Sequence, residues 1–157
     1  MHNILLEIIE KKKQDLLEQR QQISVQALKE NTENFFSEDL FKKNIVNAQG
    51  VALIAEIKFA SPTNPHLGSS SDLLERVKQY EHAGADAISV ITEKHFFKGD
   101  PAFVTQVKKI VTLPVLQKDF VIDACQIYQA RAIGSDALLL IARLVDGETL
   151  KQFVVLC

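Results

Sequence analysis

Gly84-Ala-Asp-Ala-Ile-Ser-Val-Ile91 is nearly repeated as Gly134-Ser-Asp-Ala-Leu-Leu-Leu-Ile141. Each copy opens with a glycine suited to the position just past a helix, continues with an aspartate, and ends in an unbroken apolar run. Apolar runs without alternation are strands covered on both faces, the habit of parallel sheets whose crossovers are helices. Val51–Lys58 and Pro114–Lys118 are runs of the same kind. Helical stretches separate them: about Ser71–His82, one ending near Ile110, Asp123–Ile133, and a start at Asp146–Phe153. The repeated unit is strand then helix, four times over, which calls for right-handed crossovers and sequential parallel pairing. The fold class is α/β. An eight-unit barrel takes about 250 residues and rarely fewer than ~200, and four units are present in the 157 residues here. Periodicity alone also allows a doubly wound sheet, yet no glycine-rich phosphate turn follows the first strand.

Residues 1–46 have a different texture and read as a helical extension to the (βα)4 part, residues 47–157. From Ile4 to about Gln22, Leu5, Ile8, Ile9, Leu16 and Leu17 recur near helical spacing. That stripe needs a surface to cover, and the bottom of the barrel is one candidate. Gln26–Lys43, with Leu28, Phe35, Phe36, Leu40 and Phe41, reads as helical turns and loop. A net charge of −2 gives no footprint for nucleic acid. Cys125 and Cys157 have neither metal-ligand spacing nor a disulfide framework, as expected of thiols in a reducing cytoplasm. Ile4–Ile9 is interrupted by Glu7 and followed by Lys11, Lys12 and Lys13, the reverse order of a signal peptide. No apolar run approaches the ~20 residues that span a bilayer. A cytoplasmic protein without membrane or nucleic-acid partners is expected.

Chemistry concentrates where strands end. Side chains alternate along a strand, so Ile54, Glu56 and Lys58 share one face while Leu53, Ala55 and Ile57 meet the helices. Inward ionisable groups at a C-terminal strand end are where barrel enzymes place catalysis, although a structural Glu–Lys pair fits the same pattern. Lys118 ends the third strand on the face of Leu116. A lysine crowded by another and partly desolvated suits general acid catalysis, and a strand-capping surface lysine is the alternative. Ser89 lies mid-strand. Phe96 and Phe97 stand in the following loop, either as packing or as a wall for a planar ligand. His66, His82 and His95 share no metal spacing.

Three stretches together resemble one family. Ala55-Glu-Ile-Lys-Phe-Ala-Ser-Pro62, Ile88-Ser-Val-Ile-Thr-Glu93, and Pro114-Val-Leu-Gln-Lys-Asp-Phe-Val-Ile-Asp123 with Gln126-Ile-Tyr128 are similar to the opening motifs of indole-3-glycerol-phosphate synthase. Gly134–Ile141 and the N-terminal helix fit too, so the resemblance runs nearly end to end. It implies a (β/α)8 TIM barrel and a tryptophan-pathway lyase. The implied reaction converts 1-(2-carboxyphenylamino)-1-deoxyribulose 5-phosphate, a phosphosugar–anthranilate, to indole-3-glycerol phosphate with loss of CO2 and water, and no cofactor. Lys118 matches the lysine that acts as general acid on the ketone oxygen. Lys58 matches one that pairs with the substrate carboxylate, and Glu56 a glutamate that assists proton transfer and holds the lysines. Ser61 matches a serine near the phosphate end, Ser89 a small polar group of the pocket floor, and Phe97, Phe120 and Leu139 the apolar lining of the ring pocket.

Two departures follow from the same resemblance. After Ser61-Pro62 the family continues Ser, a variable residue, Gly; here Thr63-Asn64-Pro65 follows, and Pro65 removes the flexibility and the amide of a glycine. The family's second catalytic glutamate, an asparagine, and its phosphate-gripping Ser and Gly residues sit on strands five to eight, past Cys157. The chain alone is therefore expected to be inactive or nearly so. The alternatives are a non-enzymatic half-barrel assembly module, a split-enzyme subunit, or another phosphosugar-acting barrel. Ile54, Ile91, Leu116 and Leu139, with the outer edges of strands one and four, are expected to lie open and to drive self-association or docking of a complementing half.

Overall fold

In the computed structural model, residues 4–22, 24–32 and 39–157 are described, apart from the side chains of 22, 25 and 31. Phe35 and Phe36 fall outside them. The extension forms α1 (Ile4–Gln22), α2 (Val25–Thr32) and α3 (Leu40–Asn47). Then come β1 (Ile54–Ile57), α4 (Leu73–His82), β2 (Ala87–Ile91), α5 (Lys94–Phe97), α6 (Pro101–Lys108), β3 (Val115–Lys118), α7 (Ala124–Ala132), β4 (Ala137–Leu138) and α8 (Gly147–Leu156). A 3-10 turn, Ser70–Asp72, leads into α4, and another, Ala142–Leu144, follows β4.

The four strands pair in parallel, in the order β1-β2-β3-β4. Alternation sends Ala55, Ile57, Ile88, Val90 and Val115 to the face that α4 and α6 cover with Leu73, Val77, Val104 and Val107. A second cluster joins Val121, Ile127 and Phe153 to Leu138 and Leu140, beneath α7 and α8. Each fully buried aliphatic side chain stabilises by about 1.5–3 kcal/mol, against about 0–1 kcal/mol for an exposed ion pair. The helix-covered face therefore carries the fold.

The near-repeat has a structural cause. Gly84 (φ 87) and Gly134 (φ 88) end α4 and α7 in the left-handed region. Two residues on, Asp86 accepts the Leu53 amide at 2.8 Å, and Asp136 accepts the Val115 amide at 2.7 Å. Each aspartate thus ties the start of its own strand to the start of the preceding one. Asp136 also pairs with Lys108 of α6 at 2.7 Å.

Four expectations need correction. The apolar run that ends the second repeat predicts a strand as far as Ile141, but β4 covers only Ala137–Leu138. It pairs with β3 alone, and its last rung is the Leu139 amide donating to Gln117 at 3.1 Å. The loop after β2 contains the short helix α5. Helix α1 does not cover the bottom: it lies against the segments that follow β2 and β3, while α3 stands near the N-terminal end of β2, where Asn44 donates to the Asp86 carbonyl at 3.1 Å. Finally, the open face is less open than expected. Ile54 is 42% exposed, but Ile91 is only 6% exposed, and Leu116 and Leu139 are half-buried. Register sets Lys118 beside Ile91 on an interior strand, and a lysine stem covers apolar surface while its head stays wet.

Asp136→Ala is expected to destabilise the chain by about 1–3 kcal/mol, because it leaves a buried amide unpaired. Asp86→Ala should cost clearly less, since its partner Leu53 is 51% exposed. Urea unfolding monitored by circular dichroism compares the two; equal costs would contradict the clamp.

Candidate active site

The parallel register lines up Glu56, Ser89, Leu116 and Ala137 as one row across the sheet. With Ala55 and Ile57 in the helix-side core, Glu56 faces the other way. Lys58 and Lys118 follow at the C-terminal ends of β1 and β3 and meet there. Glu56 takes Lys58 Nζ at 3.0 Å on Oε1 and Lys118 Nζ at 2.5 Å on Oε2. One half-buried carboxylate thus bridges two ammoniums from different strands. Burial pushes the Glu56 carboxyl up, but hydrogen bonds and charge from Lys118 and Lys58 outweigh it and hold its pKa below the ordinary glutamate value of 4.5.

The aromatic residues converge as well. Phe97, from α5, and Phe120, just after β3, have ring centroids 6.1 Å apart at 39°. The α5 turn is fixed by Glu93, only 1% exposed, whose carboxylate accepts the amides of His95, Phe96 and Phe97 at 2.7–3.1 Å. Gly99 closes it: its amide donates to the Glu93 carbonyl at 2.8 Å. A Cβ there would meet Ile91 O at 2.4 Å and Thr92 C at 2.7 Å, so no larger residue fits without a shift. After β3, Asp119 Oδ1 accepts the Phe120 amide at 2.7 Å and Oδ2 accepts the Thr92 hydroxyl at 2.6 Å. Asp123 and Gln126 form a capping box at the start of α7.

Other candidates are placed differently. Ser89 is 4% exposed and its hydroxyl has no hydrogen-bond partner, next to Glu56 in the row. Leu139 is half-buried and, by alternation with Leu138 and Leu140, turns to the same face. Ser61 is occupied by its own loop: it exchanges backbone hydrogen bonds with Asn64, and its hydroxyl accepts the Asn64 amide at 3.0 Å and lies 3.2 Å from the Thr63 hydroxyl. The Thr63-Asn64-Pro65 departure is thus a closed turn. His95 belongs to an ion-pair cluster with Asp15 rather than to a metal site. Among the described residues no group of His, Cys, Asp or Glu is arranged to hold a metal ion, and no helix is long and apolar enough to cross a membrane. The Cys125 thiol is pushed up to about 12 by burial and by Asp123, so it stays protonated.

Comparison with known proteins decides among the barrel families. The family model for indole-3-glycerol phosphate synthase matches residues 5–156. The chain belongs to this family. It is 51% identical over 111 residues to an indole-3-glycerol phosphate synthase of Caldanaerobacter subterraneus, covering 71% of this chain and 43% of that protein. It is 39% identical over 150 residues to the one of Thermoanaerobacter sp., covering 96% and 56%, and 38% identical over 152 residues to the one of Acetivibrio thermocellus, covering 96% and 58%. The chain thus spans about half the length of the curated relatives it matches. The synthase family is built on the TIM barrel, and the parallel β1–β4 sheet with its helices is a part of one. Its members are carbon–carbon lyases of tryptophan biosynthesis that bind a phosphosugar. Lys12, Asp15, Gly99 and Asp119 carry no local signal of these roles in the sequence; Glu93, an acid just before a helical turn, does.

A carboxylate whose pKa is lowered on folding stabilises the fold above its unfolded value and loses that contribution as pH falls through the folded value. Carboxyl-carbon NMR is expected to show Glu56 titrating below 4.5, and Glu56→Gln should flatten the loss of stability below that pH. A midpoint at or above 4.5 would dismiss the two-lysine bridge.

Proposed function

We propose that this chain carries the lysine–glutamate half of an indole-3-glycerol-phosphate synthase active site. The observation that carries the reading is Glu56 bonded at once to Lys58 and Lys118 at the C-terminal strand ends, 3.0 and 2.5 Å away. In this reading Lys118 donates its proton to the ketone oxygen of 1-(2-carboxyphenylamino)-1-deoxyribulose 5-phosphate as the ring carbon that bears the carboxylate bonds to the ketone carbon. The carboxylate, paired with Lys58, leaves as CO2, its bonding pair restoring the aromatic ring; the hydroxyl that formed then takes up a proton and leaves as water as the adjacent ring carbon gives up its own. Glu56 relays protons and keeps both ammoniums in place when no substrate is bound. Phe97, Phe120 and Leu139 line the slot for the aromatic ring, and Ser89 offers a hydroxyl at its floor. Ser61 stands at the phosphate end. The tie from Asn64 and Thr63 leaves Ser61 a weaker phosphate contact than a free serine beside a glycine. The setting is the cytoplasm, and no cofactor takes part.

The extension, residues 1–46, and the (βα)4 part, residues 47–157, act as one unit that needs a complementing half-barrel for turnover. Supplied with such a half from a relative, the chain is expected to form indole-3-glycerol phosphate, and Lys118→Met to lower kcat by about 10²–10⁴-fold with the fold intact. Turnover by Lys118→Met near the wild-type rate would remove the general-acid role.

Without that half, the chain is expected to pair with itself. Val51, Leu53 and Ile54 at the outer edge of the sheet are 97%, 51% and 42% exposed, and unpaired strand edges add a template. Sedimentation at micromolar concentration should find species heavier than the 17.6 kDa monomer; a clean monomer would refute this.

A further inference from the structure

Ile8, Lys12, Asp15, Leu16 and Gln19 recur at helical spacing on one face of α1, and Ile8, Lys12, Asp15 and Leu16 are buried. Charges are buried on a helix face only where something pairs them. Lys12 Nζ meets Asp119 Oδ1 at 2.7 Å, with the two side chains 10% and 6% exposed. The same oxygen holds the Phe120 amide at 2.7 Å. Asp15 meets Lys94 Nζ at 2.7 Å and His95 Nε2 at 3.0 Å. These are the first two residues of α5, and Phe97 is its last. Arg20, one turn on, pairs with Asp123 at the cap of α7. Burial pushes the Asp15 carboxyl up, but the bonds from Lys94 and His95 outweigh it and hold it below 3.8, so Asp15 stays ionised at neutral pH.

Phe97 and Phe120 stand on different loops, so their spacing is only as fixed as the tie between those loops. We propose that Lys12 and Asp15 are positioning residues: from α1, one through Asp119 and the other through Lys94 and His95, they set the separation of the Phe97 and Phe120 rings and with it the fit of the substrate's aromatic ring. The substrate part rests on the function proposed above; the ring geometry does not. Lys13, on the exposed side of the same helix, pairs among the described residues with Glu10 at 2.8 Å and has no such part.

Two measurements separate these. In the 157-residue chain alone, proton NMR should show a cross-peak between the Phe97 and Phe120 rings that is lost in Lys12→Met and Asp15→Asn and kept in Lys12→Arg and Lys13→Met. In the chain complemented by a C-terminal half-barrel, Lys12→Met and Asp15→Asn should raise KM about tenfold with kcat within about twofold, the mark of lost ground-state fit. Lys94→Gln, which removes one contact of a half-exposed side chain, should give a smaller rise in the same direction and serves if the buried variants fail to fold. Cross-peaks and KM unchanged in the folded variants would overturn the proposal, as would a fall in kcat at constant KM. If the complemented wild-type chain makes no product, the proposed function fails, and the cross-peaks still decide whether α1 sets the ring pair.

Discussion

The period of two along a parallel strand is the constraint on which the rest of this molecule depends. It sends Ala55 and Ile57 into the helix-side core and Glu56 to the other face, and the pairing of Glu56 with Ser89 and of Ser89 with Leu116 extends that choice across the sheet. A slip of one residue in β1 would place Glu56 among Val77, Val90 and Val104, all fully buried, where an unpaired carboxylate costs several kcal/mol. The hydrophobic core and the candidate site are therefore selected by the same register. Asp86 and Asp136 defend it from the opposite end of the sheet by gripping the amide of Leu53, just before β1, and that of Val115, the first of β3.

Glu56 does on the open face what hydrophobic packing does on the other. Lys58 and Lys118 extend from strands separated by β2, and two ammoniums brought together without an anion repel. One carboxylate between them removes the repulsion and also spaces them, since each nitrogen is bound to a different oxygen. In the proposed function the substrate carboxylate takes over part of this pairing at Lys58, so the same charge that holds the free site together receives an anionic ligand. The pair is only partly shielded from solvent, so its worth lies in geometry more than in stability.

How far the sequence discloses this depends on how local each signal is. Four βα units, their order and the converging Glu56, Lys58 and Lys118 follow from alternation and apolar runs, which are local patterns with one physical meaning. The length of β4 does not, because a strand's extent is set by its neighbours, and β4 pairs only with β3. Helix α5 escaped because four residues are too few for a periodic signal; Glu93, which caps three amides, is what makes it. The seat of α1 was illegible for a different reason. Lys12, Asp15 and Arg20 look like an ordinary solvated face, and only the loops they meet, far along the chain, make them ion-pair partners and bury Lys12 and Asp15. The tied-up hydroxyl of Ser61 is of the same kind: the motif names the residue, while Thr63 and Asn64 decide what it is free to do.

Lys118, Asp119 and Phe120 show how these levels meet within three residues. Lys118 turns to the open face and reaches Glu56; Asp119 turns to the helix side and reaches Thr92 and Lys12; Phe120 leaves the strand for the loop, its amide held by Asp119. Successive side chains point to opposite faces, so the two are held separately: Lys118 by Glu56 on the open face, Phe120 by Asp119 on the helix side. The proposed ring wall therefore has its own anchor, Asp119 with Lys12. That anchor is a buried ion pair, and it breaks at high cost when one partner is removed, because the other charge is left without a counterion. An extension that contributes the lysine of that pair is coupled to the ring pocket without reaching the reacting lysines, through Asp119 on one side and through Lys94 and His95 on the other.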